Sequence, residues 1–183
     1  LLDSGVTTLC DVLEAPKAIP GGLNVQARAL ETVGMKGVLS FEACERIDRE
    51  NGELGLKENR DFYLKYKDHP RISGTMCIHT TFTCSRDFIR KARKTTAETG
   101  SGIQMHLSES RYEPDICREQ YGKGPVELYE ELGYLGPDVL ASQGVKLNDG
   151  EIEILARRGV RLVHVPLSNC EVGGGVSPVS ELL

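Results

Sequence analysis

Three of the four histidines in this sequence stand where strand-like apolar runs come to an end. His79 follows Thr75-Met76-Cys77-Ile78, His106 follows Gly102-Ile103-Gln104-Met105, and His164 lies within Leu162-Val163-His164-Val165-Pro166. A single histidine beside an apolar run is most often a structural side chain, but a repeat at the same topological position points to shared chemistry. His69, in the polar connection Lys67-Asp68-His69-Pro70, reads as solvated. The sharpest pair is His106 with Glu109. Imidazole is a common ligand for zinc and iron, and a bound divalent metal lowers the pKa of its water to roughly 7. A carboxylate within reach can take that proton and later deliver it to a leaving group. His106 ends its strand and Glu109 enters the following loop, so both can face one rim. On spacing alone, a buried histidine next to a surface glutamate is an equal reading.

Positioning such residues requires strands that all end on the same side. Candidate strands are 6–11, 36–41, 72–78, 102–107, 139–143 and 160–165. Candidate helices are 23–33, 55–67, 86–99, 126–132 and 149–158, with a further start near Pro178 and one or two turns over 112–121. Ser85 and Asn148 precede apolar-periodic runs and suit helix N-caps, while Gly100 and Gly159 sit where helices should stop. Strands separated by one helix each are not hairpins; they imply parallel βα units. Six such units fit a doubly wound sheet or a (β/α)8 barrel. No G-x-G-x-x-G follows the first strand and no G-x-x-x-x-G-K-[ST] occurs, which removes the usual reason to choose a nucleotide-binding sheet.

Composition narrows the class further. The chain has 183 residues, 39% hydrophobic and 27% charged, as in a globular protein with one sizeable core. Its net charge of −5 and the lack of a Lys/Arg cluster argue against nucleic-acid binding. No apolar run approaches the roughly 20 residues of a membrane span. Six scattered cysteines without a C-x-x-C pair read as reduced thiols of a cytoplasmic protein, with Cys10, Cys44, Cys77 and Cys84 placed in or beside apolar, buried runs. The first residues enter a strand within a few positions and the last resemble the middle of an amphipathic helix. The chain is therefore expected to be truncated at both ends, as the central part of one barrel domain spanning 1–183.

The run Met105-His106-Leu107-Ser108-Glu109-Ser110 resembles the "H-L-x-E-[ST]" element after strand five of the metal-dependent amidohydrolase superfamily. The likeness is to its branch of cytosine deaminases, chlorohydrolases and SsnA-type aminohydrolases. Ser4-Gly5-Val6-Thr7-Thr8 is similar to the family's strand two, and Ile78-His79-Thr80-Thr81-Phe82-Thr83-Cys84-Ser85 to its loop after strand four. Val163-His164-Val165-Pro166-Leu167-Ser168-Asn169 and Gly174-Gly175-Val176-Ser177-Pro178-Val179 are similar to its strand-seven loop. These ordered matches cover almost the whole chain.

The resemblance implies an α/β fold, a partial (β/α)8 TIM barrel of strands two to seven. It implies a hydrolase acting on non-peptide carbon–nitrogen bonds, with one divalent metal, zinc or iron, activating water to deaminate a cyclic amidine or aminated heterocycle. His106 would be a metal ligand and Glu109 the proton shuttle. His79, His164 and Asn169 would serve substrate binding, the last two by shaping the strand-seven loop. The family's H-x-H pair and its last metal-binding Asp would fall outside these residues, so the fragment alone is expected to be inactive. Two open edges and an unfilled interior are expected to make it poorly stable.

One departure is internal. Where the family has a histidine after strand six, Ala141-Ser142-Gln143-Gly144-Val145-Lys146-Leu147 places Gln143, which cannot take a proton near neutral pH. Glu109 would then carry the proton transfer, or the substrate differs; the alternative is a weakened or inactive homologue acting as a binding or assembly protein. The expected partner is a small heterocyclic substrate, with a homo-oligomer open for the full-length protein. The stretch Phe41-Glu42-Ala43-Cys44-Glu45-Arg46 could recognise a polar ring or form surface ion pairs, the latter slightly favoured. The Gly173-Gly174-Gly175 run reads as a flexible loop over the site mouth.

Overall fold

A computed structural model describes residues 1–183. The strands are β1 (Thr8–Leu13), β2 (Lys36–Phe41), β3 (Ile72–Gly74), β4 (Met76–Ile78), β5 (Ile103–Leu107), β6 (Val139–Gln143) and β7 (Arg161–Val163). The helices are α1 (Gly22–Val33), α2 (Arg49–Tyr66), α3 (Arg86–Thr99), α4 (Tyr112–Tyr121), α5 (Pro125–Glu131), α6 (Asp149–Arg158), α7 (Pro166–Glu171) and α8 (Val179–Leu182). All strand pairs are parallel, in the orders β1-β2-β3 and β4-β5-β6-β7. Every βα connection therefore returns the chain to the same edge, and all strand C-termini gather on one rim.

The continuous strand expected over 72–78 is broken at Thr75, because its two halves pair with different neighbours. Gly74 is in register with Leu39 of β2, whereas Met76 is in register with Ile103 of β5. The two sheets still form one wall: Thr75 N donates to Leu39 O at 3.1 Å, and Ala43 N donates to Cys77 O at 3.3 Å. β1 and β7 are the free edges, so the barrel is not closed.

Capping sets several helix boundaries where the sequence placed them. Ser85 accepts from Phe88 N and Asn148 from Glu151 N, while Gly100 and Gly159 end α3 and α6 in the left-handed region. Helix α2 starts at Arg49, six residues before the expected Gly55, because Asp48 caps it by accepting from Asn51 N at 2.7 Å. Gly55 does not weaken this reading; it lets α2 lie on the chain after β2. A Cβ there would come within 2.9 Å of the Ala43 Cβ. Helix α7 was not expected from the sequence at all; Pro166 opens it at the first turn, where a missing N–H costs nothing.

The core lies between the sheets and the helices, filled by Phe41, Phe62, Ile72, Met76, Ile103, Met105, Tyr129 and Tyr134, all buried. The Tyr129 and Tyr134 rings are 5.4 Å apart. Cys44, Cys77, Cys84 and Cys117 are buried, but Cys10 is not. It projects from the other face of β1, where its thiol donates to Gln104 Oε1 of β5 at 2.9 Å across the concave side of the wall. That face stays open along the unpaired β1 edge, which is why an apolar run did not bury it. No helix is long and apolar enough to cross a membrane.

Candidate active site at the strand-end rim

Residues from four strand ends surround one cavity of about 190 Å³. Glu14 follows β1, Glu42 follows β2, His79 follows β4, and His106 with Glu109 ends and follows β5; all five line it. Phe82 and Tyr112 supply an aromatic side, with ring centroids 4.9 Å apart and nearly perpendicular. Phe82 also meets the His79 ring edge to face at 5.4 Å. The sequence-selected trio of His79, His106 and Glu109 is thus brought together.

His106 is held by a partner the sequence left undecided. Its Nδ1 lies 3.0 Å from Glu42 Oε1, and that carboxylate side chain is only 3% exposed. Burial pushes the Glu42 carboxyl up, but the His106 contact and the charges of His79, His106 and Arg46 together bring it below the ordinary range. Burial pushes His106 down, and the contact and charge of Glu42, with Glu109 and Glu113, outweigh it and raise the imidazole. In the same stretch, Arg46 pairs with Glu14 at 2.7 Å and Glu45 accepts from Ser85 N at 2.7 Å. Of the two sequence readings of this stretch, the ion pair is seen at Arg46, whereas Glu42 faces the His106 ring.

Burial chiefly lowers the His79 imidazole, with Arg46 and His106 adding to the shift and Glu42 and Glu14 opposing it. Its Nδ1 is 2.7 Å from Thr83 Oγ1 and 3.0 Å from Thr80 Oγ1, and Arg46 Nη2 lies 3.1 Å from both ring nitrogens.

Glu113, which the sequence reading passed over, ties the two histidine-bearing loops together. It is 4% exposed. One carboxylate oxygen accepts from Thr81 N and Thr81 Oγ1, both at 3.1 Å, and the other from Ser108 N at 2.8 Å. Ser108, between His106 and Glu109, is held at φ 48. Burial raises the Glu113 carboxyl, against the lowering effect of those donors. The available signal was a glutamate in the first turn of α4, four residues beyond Glu109, on a turn whose Pro114 and Cys117 are also buried.

Glu109 is framed from the far side by α7 and the glycine run. Ser168 Oγ lies 3.4 Å from Glu109 Oε1. Asn169 is fully buried, and its carbonyl accepts from Gly174 N at 2.9 Å. Gly174 packs against the Glu109 carbonyl, so the glycine run expected over the site mouth lies against the loop that follows β5. The Asn169 side-chain amide has no protein partner.

Gln143 ends β6 beside Leu107, at φ 71, with its Oε1 2.6 Å from Ser142 Oγ. It lines a second depression together with His106, Gln104 and Cys10. His164 does not join them. It is exposed and lines an apolar groove with Ile152, Leu155 and Leu182, on the helix side of β7.

No three His, Cys, Asp or Glu side chains converge closely enough to hold a metal by themselves. The donor chemistry nevertheless fits one side of such a site: with Nδ1 of His106 engaged by Glu42, Nε2 is the nitrogen free to coordinate.

A model of the Amidohydrolase family matches residues 1–183. The chain belongs to the amidohydrolase family. This amidohydrolase is 36% identical, over its whole length, to a 5-methylthioadenosine/S-adenosylhomocysteine deaminase of Thermococcus sibiricus, of which it covers 42%. It is 34% identical to a 5'-deoxyadenosine deaminase of Methanosarcina acetivorans, of which it covers 41%. The chain thus spans about two fifths of the length of these relatives. In three dimensions it resembles a zinc-bound adenosine deaminase from Xanthomonas campestris with a TM-score of 0.88 at 21% identity, covering 99% of this chain and 40% of that one. That likeness places the amidohydrolase in the TIM-barrel fold, as a part of the barrel.

Proposed function

We propose that the full-length protein hydrolytically deaminates an aminated heterocycle with the help of one divalent metal, zinc ahead of iron. The observation that carries this reading is the convergence of His106, Glu109 and His79 on one cavity at the strand-end rim. His106 Nε2 is the ligand this chain supplies, and the remaining ligands come from parts of the full-length protein outside these residues. When bound, the metal lowers the pKa of a water to roughly 7. Glu109 would take a proton from the attacking water as its oxygen bonds to the sp² ring carbon and the C=N electron pair moves onto the ring nitrogen, to return when the amine leaves. The same carboxyl then returns the proton to the exocyclic nitrogen as the C–N bond breaks and ammonia leaves. His79, bonded to Thr83, orients the ring against the Phe82 and Tyr112 side of the cavity. Gln143 offers a hydrogen bond but no proton acceptance, which leaves the transfer to Glu109. Asn169 and His164 support the strand-seven segment, Asn169 through the Gly174 contact behind Glu109.

The relatives are named for 5-methylthioadenosine, S-adenosylhomocysteine and 5'-deoxyadenosine, so a 6-aminopurine nucleoside comes first among candidate substrates. The test is ammonia release by the zinc-loaded full-length protein from a panel of such nucleosides, free aminopurines and chlorotriazines. Turnover of at least one aminopurine compound is expected, with Glu109→Gln slower by about 10²–10⁴-fold. Zinc-loaded protein that releases ammonia from none of them overturns the proposal.

A further inference from the structure

We infer that Glu42 is a positioning residue for the metal centre, acting through His106. This rests on the reading of His106 as a metal ligand and adds to it the group that prepares the ligand. Glu42 lies between Phe41 and Ala43, which are 1% and 0% exposed, and is itself 5% exposed. A carboxylate in such surroundings is costly unless it is paired. Its closest polar partner is the His106 ring, with Nδ1 at 3.0 Å. The alternative role, a surface ion pair, belongs to the neighbouring Arg46, which turns to Glu14 instead.

The contact has a defined chemical consequence. A neutral imidazole carries its single proton on one nitrogen, and a carboxylate facing Nδ1 selects the form protonated there. The lone pair is then on Nε2. The same carboxylate fixes the ring plane and raises the basicity of the coordinating nitrogen, as carboxylates behind metal-bound histidines generally do. The arrangement is rigid because the ends of β2 and β5 carry the pair, with Glu42 N donating to Leu13 O at 3.1 Å. Glu42 touches neither substrate nor metal in this role.

The experiment compares wild type, Glu42→Ala, Glu42→Gln and His106→Ala in the full-length protein. Zinc affinity is measured by chelator competition, visible absorption is recorded after cobalt substitution, and thermal melts of the metal-free proteins monitor folding. Glu42→Ala is expected to weaken zinc binding about 10–100-fold and to alter the cobalt spectrum without loss of the folded state. Glu42→Gln, which keeps an acceptor but not the charge, is expected to fall between it and wild type. If Glu42→Ala does not fold, Glu42→Gln decides on the same two readouts. Variants of Glu42 that bind zinc within about twofold of wild type, while His106→Ala binds it poorly, overturn the positioning role and leave the ligand assignment standing. Unchanged zinc binding in His106→Ala overturns both.

Discussion

Gly174 lies so close to Glu109 that a Cβ on it would come within 2.3 Å of the Glu109 carbonyl oxygen. Two segments far apart in sequence thus meet without room for a methyl group, directly behind the carboxylate assigned to proton transfer. Gly174→Ala must push one of them aside. The expected outcome is a loss of about 1–3 kcal/mol in stability, by the usual cost of overpacking. A larger fractional loss in kcat than in substrate affinity should accompany it. Thermal melts and steady-state kinetics on the full-length protein check both.

Glu113 makes a second prediction. Its two oxygens accept from Thr81 and Ser108, so Glu113→Gln sets an NH2 group against at least one backbone N–H. Leaving a buried donor unsatisfied costs about 1–3 kcal/mol. A melting temperature lowered accordingly is expected, and near-neutral behaviour would show that the carboxylate is not needed as an acceptor of both loops.

The Glu42–His106 pair gives a pH dependence in the metal-free protein. Glu42 is lowered from 4.5, so its contribution is present above that value and is lost as pH falls through the folded one. His106 is raised from 6.5, so its contribution is complete below that value and is lost as pH rises through the folded one. The pair therefore stabilises most between these limits. Denaturant titrations from about pH 4 to about pH 8 should show a maximum there, flattened on both sides in Glu42→Gln.

Gln143 occupies a backbone conformation, φ 71, that histidine tolerates better than most residues. Gln143→His should therefore be accommodated and put a group able to take a proton in the depression that His106 also lines. A rise in kcat/KM of about tenfold or more is expected, with a new ionisation in the pH profile, since a general base is typically worth about 10²–10⁴-fold. An unchanged profile would show that a histidine at this position takes no part in the proton transfer.

Much of this protein could be read from its sequence. Helix α3, helix α6 and strands β2 and β6 have the expected limits, because caps and hydrophobic periodicity act over a few residues and need no distant partner. His79, His106 and Glu109 were legible for a similar reason: parallel βα repeats bring strand ends to one rim wherever they lie in the chain. Tertiary structure decided what depends on contacts between segments. It broke the 72–78 strand at Thr75, because that residue stands where pairing passes from β2 to β5. It buried Glu42 against His106 and left Arg46 exposed against Glu14 and His79, from one charged stretch. It placed His164 on the helix side of β7, since alternate residues of a strand face opposite ways and one register step separates the site from its back. It made Glu113 a brace: its place in the first turn of α4 was legible, but the two loops it holds are brought to it by other strands.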